Sequence, residues 1–520
     1  MIRSFLTVSS GTLTSRLLGF LRDSMIAALL GTGPIADAFL VAFQLVNVIR
    51  RLLTEGALNA ALVPVWLRLR ETEGEVQAAR FAGRVLGTVS AVLLAGTVAI
   101  GLSMPLVIRA LAPGFAGSET LHDAVDDARL MLPYLAFAGP TTVLLALASA
   151  QGRFFLTAFS PLLFNIALIA VMFALILART DTGGVALALA ATIGIAGFLQ
   201  LLVLVMRRGG EKVAAPLRLS FDANMRGFLA HAAPGMVASS APQLLAVAGA
   251  IIASASPSAV SWLYFANRLI ELPLGIVGAA MGTVLVPELT RAVRGGDKDP
   301  IAQAESRALE LAVGLALPAT LGLMALGEPI VRLLFEHGAF TSADTVATSR
   351  ALIWLALALP AHVLVKALSP AFFAREQTVA PLAATLKGFV VAIVSAVLFG
   401  HVFGASGIAA GIAAGAWSNA FSLIRRGRAT FGFSVDPTAR QRLPRIVAAA
   451  LVMGALLWLA AGPTGLFAAE THRLAQAALL LAAIGGAVAV YGLCLTILGV
   501  IDWRRTVNSI RQSDVHDLRA

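Results

Sequence analysis

The chain is predicted to be an all-α polytopic membrane protein with about 14 transmembrane helices. Three observations predict this. Of 520 residues, 58% are hydrophobic and only 13% are charged, about half the ~25% usual for soluble domains. Mean hydropathy is +0.86. The apolar stretches are continuous and rich in Ala and Leu, not alternating, which argues for helices over a β-barrel. So much apolar surface excludes a water-soluble enzyme and a disordered chain.

Fourteen segments of roughly spanning length are placed in order. The first six run over 5–30, 36–66, 81–108, 130–150, 157–177 and 185–206. The next six run over 227–253, 259–289, 308–331, 351–373, 381–402 and 407–423. The last two cover 446–461 and 474–501. The first segment continues past Leu30 with Arg16, Arg22 and Asp23 inside it, so it reads as a retained helix and not a signal peptide. Residues 110–129 read as the one long outer loop, a solvated stretch carrying Glu119, Asp123, Asp126 and Asp127.

Charge sets the orientation. One set of alternate loops holds 26 Lys and Arg, the other six. This bias places both termini in the cytoplasm. The net charge of +11 then belongs to cytoplasmic loops facing anionic lipid, with no nucleic-acid partner expected. The single cysteine, Cys494, permits no intrachain disulfide.

A weak internal repeat supports two lobes. Ala42–Pro64 ends in Ala-Leu-Val-Pro and Ala266–Pro287 in Val-Leu-Val-Pro, offset by 223 residues at the prolines. Ala146–Pro161 and Ala367–Pro381 match at a similar offset. The expected organisation is a six-helix lobe over 1–210, a second over 211–435, two extra helices over 436–505 and a cytoplasmic tail over 506–520. Paired repeats of this kind place a transport site between the lobes.

Ionisable residues at span centres are costly, about 2.5–3.5 kcal/mol each on insertion scales, and persist where they pair or face water. Here they cluster in three segments: Arg16, Arg22 and Asp23; Asp37, Arg50, Arg51 and Glu55; Arg268 and Glu271. Arg16 and Asp23 share a helix face, as do Arg51 with Glu55 and Arg268 with Glu271. Five arginines face four acids, which leaves a net positive cavity. Guanidinium stays charged and its fork matches phosphate oxygens. A central cationic cavity therefore points to an amphiphilic anion, such as a lipid phosphate or pyrophosphate. His231, His362, Lys366 and Lys387 are isolated and read as packing or interface residues. No P-loop, nucleophile elbow or metal-ligand cluster is found, so no cofactor or metal is expected and the protein reads as a transporter, not an enzyme.

The charged segments also carry a resemblance. Thr14-Ser15-Arg16-Leu17-Leu18-Gly19-Phe20-Leu21-Arg22-Asp23, Ala36-Asp37-Ala38-Phe39 and Asn47-Val48-Ile49-Arg50-Arg51-Leu52-Leu53-Thr54-Glu55-Gly56-Ala57 resemble the MurJ (MviN) lipid II flippases. So do Asn267-Arg268-Leu269-Ile270-Glu271-Leu272-Pro273 and Leu334-Phe335-Glu336-His337-Gly338-Ala339-Phe340-Thr341. The resemblance implies membership of the multidrug/oligosaccharidyl-lipid/polysaccharide exporter superfamily. It implies a monomer in the bacterial inner membrane that moves lipid II, the undecaprenyl-pyrophosphate-linked peptidoglycan precursor, to the outer leaflet by alternating access for cell-wall biogenesis. Arg16, Arg22, Arg50, Arg51 and Arg268 would bind substrate. Ser15, Asp23, Asp37, Glu55 and Glu271 would be gating or charge partners, and the last two helices would form a groove for the lipid tail.

Two departures bear on mechanism. The family often has Asp before the eighth-segment arginine, where this chain has Asn267. Residues 227–253 contain no Asp or Glu, so no sodium site is expected there and membrane potential is the expected drive. The alternatives at this point are a flippase for another polyprenyl-pyrophosphate-linked glycan, a drug or cation antiporter of the superfamily, an enzyme acting on polyprenyl phosphates, or a scaffold for wall assembly.

Overall fold

A computed structural model describes residues 2–54, 57–206, 218, 225, 241–281, 286–295, 298–373, 375, 377, 379–433, 435–462 and 473–500. The described residues are helical almost throughout. In chain order the helices are α1 (Ile2–Leu30), α2 (Pro34–Thr54), α3 (Ala57–Thr72), α4 (Glu75–Leu102), α5 (Met104–Leu111), α6 (Glu119–Met131), α7 (Pro133–Ala150), α8 (Phe154–Ala178) and α9 (Thr182–Met206). There follow α10 (Ala241–Ala253), α11 (Ala259–Ala280), α12 (Val286–Gly295), α13 (Lys298–Phe335), α14 (Ser342–Phe373), α15 (Val379–Phe431), α16 (Pro437–Ala461) and α17 (Arg473–Ile497). Among the described residues, eight helical spans are long and apolar enough to cross a membrane. The protein is a multi-pass helical membrane protein.

The outer-loop expectation for 110–129 is corrected. A short 3-10 turn at Pro113–Phe115 leads into α6, which begins at Glu119. Leu121, Ala124, Val125, Ala128 and Met131 recur at helical spacing and are buried. That apolar stripe packs on α2 and α9, which is why the segment folds as a helix despite its acids. Asp123 and Asp126 stay exposed, as a solvated stretch requires, but Asp127 is buried.

The chain forms two compact units. The first comprises Met1–Phe265, Phe335–Asp344 and Gly400–Ile408; the second comprises Ala266–Leu334, Thr345–Phe399 and Ala409–Ala520. In the first, α1 packs on α8, α2 on α6, and α7 on α4 and α9. Close approach is bought by glycine: a Cβ at Gly194 of α9 would strike the Leu130 carbonyl, and one at Gly197 would sit 3.0 Å from the Tyr134 ring. Leu62, Trp66, Phe81, Val85, Val143 and Leu147 form a buried cluster between α3, α4 and α7.

Helix α15 is broken at Gly404, a residue of the first unit, by its φ of 58° and ψ of −137°, while the arms on either side, up to Phe399 and from Ala409, belong to the second unit. The arms pack at Gly411 and Gly415, where a Cβ would meet Ala396 and Ala392. In the second unit α16 packs on α17, and Leu326, Met453, Leu457 and Leu480 bury together between α13, α16 and α17. Tyr491 donates its hydroxyl to the Gly314 carbonyl at 2.8 Å, pinning α17 to α13. The Arg375 guanidinium pairs with buried Glu305 at 3.0 Å and lies 4.0 Å over the Phe431 ring, so charge and ring together hold α14, α13 and α15.

Candidate functional site

In the first unit the site is built from α1, α2 and α8. Ser15 and Arg22 lie seven residues apart and share one face of α1, the face that meets α8. Asn165 of α8 bridges them: its Nδ2 donates to the Ser15 carbonyl at 3.2 Å, and its Oδ1 accepts from Arg22 Nη1 at 3.0 Å. Arg22 also donates from Nε and Nη2 to Asp23 Oδ1, at 2.9 and 2.6 Å. Its guanidinium carbon sits 5.2 Å from the Phe43 ring centre and 5.7 Å from that of Phe164. Tyr264 donates to Asp23 Oδ1 at 3.4 Å. The result is a buried cation fixed by an acid, an amide and two aromatic faces. Burial is tolerable because the charge is paired and three of the five N–H donors are engaged.

Asp23 pairs with its chain neighbour Arg22, a contact that helical spacing along α1 did not single out. Arg16 is half-buried on α1, and Arg51 is half-buried on α2. Arg50 donates to Asn47 Oδ1 one turn earlier, at 3.4 Å from Nε and 3.2 Å from Nη2. Glu55, and His231 with most of 227–253, lie outside the described residues.

A second constellation ties the start of α11 to the α1–α2 turn. Asp37 is 2% exposed and its Oδ1 accepts from both the backbone N–H and the hydroxyl of Ser261. Ser261 lies in the first turn of α11, where backbone N–H groups lack helical partners. The carboxylate supplies the missing acceptor and opposes the positive end of the helix. Asp344 works nearby in the same way. Its Oδ2 accepts from the Thr341 N–H and hydroxyl at 2.9 and 2.7 Å, while its own N–H donates back to the Thr341 hydroxyl at 3.3 Å. That is a capping box opening α14. Its Oδ1 accepts from Thr32 at 2.6 Å and from the Trp262 ring N–H at 3.0 Å. The turn itself depends on Gly31, with φ of 62°, which caps α1 and would clash with the Ala339 carbonyl if it had a Cβ. Ala339 donates to the Ala28 carbonyl at 2.8 Å.

Sequence reasoning missed Asn165, Phe43, Phe164, Tyr264, Ser261, Trp262, Thr32 and Asp344. Two signals existed. Asn165 is a lone amide in a run of 25 otherwise apolar or small residues, and Thr341-x-x-Asp344 ahead of an apolar run is a capping-box pattern.

In the second unit, Arg268 Nη1 pairs with Glu271 Oε2 at 2.6 Å, one turn on along α11. Both side chains keep about a quarter of their surface, 21% and 27%. Among the described residues, no three His, Cys, Asp or Glu side chains are grouped to hold a metal.

The sequence model of the family described as lipid II flippase MurJ matches residues 26–472. The chain belongs to the lipid II flippase MurJ family. A probable lipid II flippase MurJ of Rhizobium meliloti is 37% identical over 468 residues, covering 88% of this chain and 86% of the relative. The lipid II flippase MurJ of Burkholderia cenocepacia is 32% identical over 405 residues, covering 76% and 77%. Among solved structures, lipid II flippase MurJ in an inward closed conformation superposes with a TM-score of 0.78 at 22% identity, covering 96% of this chain and all of that one. An inward-facing multidrug resistance MATE family transporter of the MOP superfamily superposes at 0.66 with 17% identity, covering 83% and 95%. At those identities the two structures speak to fold alone: an all-helical arrangement like that of MurJ and the MATE proteins.

Proposed function

We propose that this MurJ-family protein flips lipid II from the inner to the outer leaflet of the bacterial inner membrane, as a monomer with both termini in the cytoplasm. The observation that carries the reading is the family match over 26–472, to which relatives named lipid II flippases add their similarity over most of the chain. Arginine chemistry supports it. Arg16, Arg22, Arg50, Arg51 and Arg268 bind the pyrophosphate, while the polyprenyl tail stays in lipid along α16 and α17. Arg22 arrives with its fork already oriented by Asp23 and Asn165, so little rotamer freedom remains to be lost on binding. Glu271 holds Arg268 until the anion competes for it, and Glu55 is the charge partner that helical spacing assigns to Arg51. Asp37 and Ser15 act at the gate: the Asp37–Ser261 bonds must break for that end of the first unit to open.

Membrane potential supplies the drive. One elementary charge crossing the membrane is worth about 2.3 kcal/mol per 100 mV. An inside-negative potential pushes the anionic headgroup outward and draws the emptied cationic cavity back. The chain acts as a transporter, with no bond made or broken.

The test is rescue of a flippase-depleted bacterium, scored by lipid II accessibility at the outer face. Wild type is expected to restore it, and Arg268→Ala to insert normally and fail. Failure of well-inserted wild type would move the cargo to another polyprenyl-pyrophosphate-linked glycan. Equal activity in both would leave Arg268 structural.

A further inference from the structure

The chain enters α11 through a turn that its own sequence does not favour. Ser256–Ala259 is closed by the Ala259 N–H on the Ser256 carbonyl at 3.2 Å. Pro257 takes the second place of the turn and Ser258 the third, with φ of 63°. A positive φ at the third place marks a type II turn, which selects glycine there. Serine is disfavoured, because in the left-handed region its Cβ crowds the following carbonyl. The chain just before the turn is anchored: the Gly114 N–H donates to the Ser254 hydroxyl at 3.0 Å, and a Cβ at Gly114 would strike the Ser254 carbonyl.

Asp37 of α2 holds the turn in this form. Ser258 stands at the N-cap of α11, where its carbonyl accepts from the Trp262 N–H at 3.0 Å. A serine at an N-cap ordinarily sits in the extended region and takes the N–H three residues on with its own hydroxyl. That N–H belongs to Ser261, and it donates instead to Asp37 Oδ1 at 2.9 Å. The Ser258 N–H donates to the Asp37 carboxylate as well. In the turn this second N–H belongs to the central peptide, between Pro257 and Ser258. Flipping that peptide converts a type II turn to type I, brings φ of Ser258 to a negative value and points its N–H away from Asp37. The start of α11 therefore has two caps to choose from: a carboxylate of another helix and the hydroxyl of Ser258. All of these residues belong to the first unit.

We propose that the Pro257–Ser258 peptide is a latch: Asp37 caps α11 while this end of the first unit is closed, and the Ser258 hydroxyl caps it once Asp37 withdraws. The proposal rests on the alternating-access reading and adds to it the element that makes the release of Asp37 reversible. Breaking the Asp37 bonds alone would leave the Ser261 N–H without an acceptor at a helix start. Exchange of caps replaces that acceptor and relieves the left-handed serine in the same step. The two states are then close in free energy, as a gate that opens and closes in every cycle requires. Glycine at 258 would fit the turn without strain and hold the gate shut.

The test is labelling of Ala36→Cys by a soluble maleimide in the full-length protein in nanodiscs, with Cys494→Ser to remove the native thiol. Ala36 is 2% exposed and adjoins Asp37, so the reagent reaches it when Asp37 withdraws. Ser258→Gly is expected to slow labelling about tenfold, by relieving the closed state. Ser258→Ala keeps the strain and loses the second cap, and is expected to slow labelling about fivefold. With Asp37→Ala, labelling is expected to be fast, and adding Ser258→Gly to change it less than about twofold. Asp37→Asn serves as the background if Asp37→Ala does not insert. One labelling rate for Ser, Gly and Ala at 258 would overturn the latch, and so would an equal slowing by Ser258→Gly with and without Asp37. Neither result bears on the lipid II reading, because no cargo is present. That reading fails separately, when well-inserted wild type does not restore lipid II at the outer face.

Discussion

Arg22 in the first unit and Arg268 in the second are both arginines inside long helices, yet they differ in burial and in their ion pairs. Arg22 is fixed by partners on three helices: Asp23 on its own, Asn165 on α8, and the rings of Phe43 and Phe164 on α2 and α8. Its side chain is 9% exposed. Arg268 leans on Glu271 of the same helix and keeps 21% of its surface. A charge woven into several helices is part of what folds the unit. A partly exposed ion pair within one turn of a helix is screened by solvent and contributes little to folding. Loss of Arg22 is therefore expected to cost stability as well as cargo binding, and loss of Arg268 mainly cargo binding, and each variant below tests that difference.

Arg22→Ala should have the largest effect on folding. It leaves Asp23 buried without its cation, a change worth about 3–5 kcal/mol. The check is thermal unfolding in detergent together with the amount of protein inserted; a variant as stable as wild type would dissolve the contrast. Asp344→Ala should come next. It removes a capping box and two links to Thr32 and Trp262, for a loss of about 2 kcal/mol in the same assay. Asn165→Ala should cost about 1–2 kcal/mol, because the Arg22 and Ser15 bonds are lost while the Asp23 pair survives. A larger loss than Arg22→Ala would make the amide, and not the ion pair, the centre of the cluster. Arg268→Ala should change stability least, by less than about 1 kcal/mol, since Glu271 is left with access to solvent. Its effect should appear in lipid II accessibility instead.

Much of the architecture was legible before any coordinates. Continuous apolar runs far apart from charge mark spanning helices, and the helices over 75–102, 182–206, 342–373 and 473–497 lie close to the segments expected. The arginine motifs were legible too, because an ionisable residue inside an apolar run stands out against its neighbours. The i,i+3 pair of Arg268 with Glu271 follows from helix geometry alone. The helix at Glu119–Met131 was not legible as such, because its acids outweighed a stripe of Leu, Ala, Val and Met whose partners on α2 and α9 lie far away in sequence.

The sequence by itself determined the membrane class, the positions of the charged segments and the family, since each depends on composition or on residues within a few turns of one another. Only tertiary structure decided which partners those charges take. Arg22 meets Asn165 across 143 residues, Asp37 meets Ser261 across 224, and Thr32 meets Asp344 across 312. Helical periodicity says which face a side chain occupies. It does not say which other helix will lie against that face, because that choice is made by packing and by the need of every buried polar group for a partner.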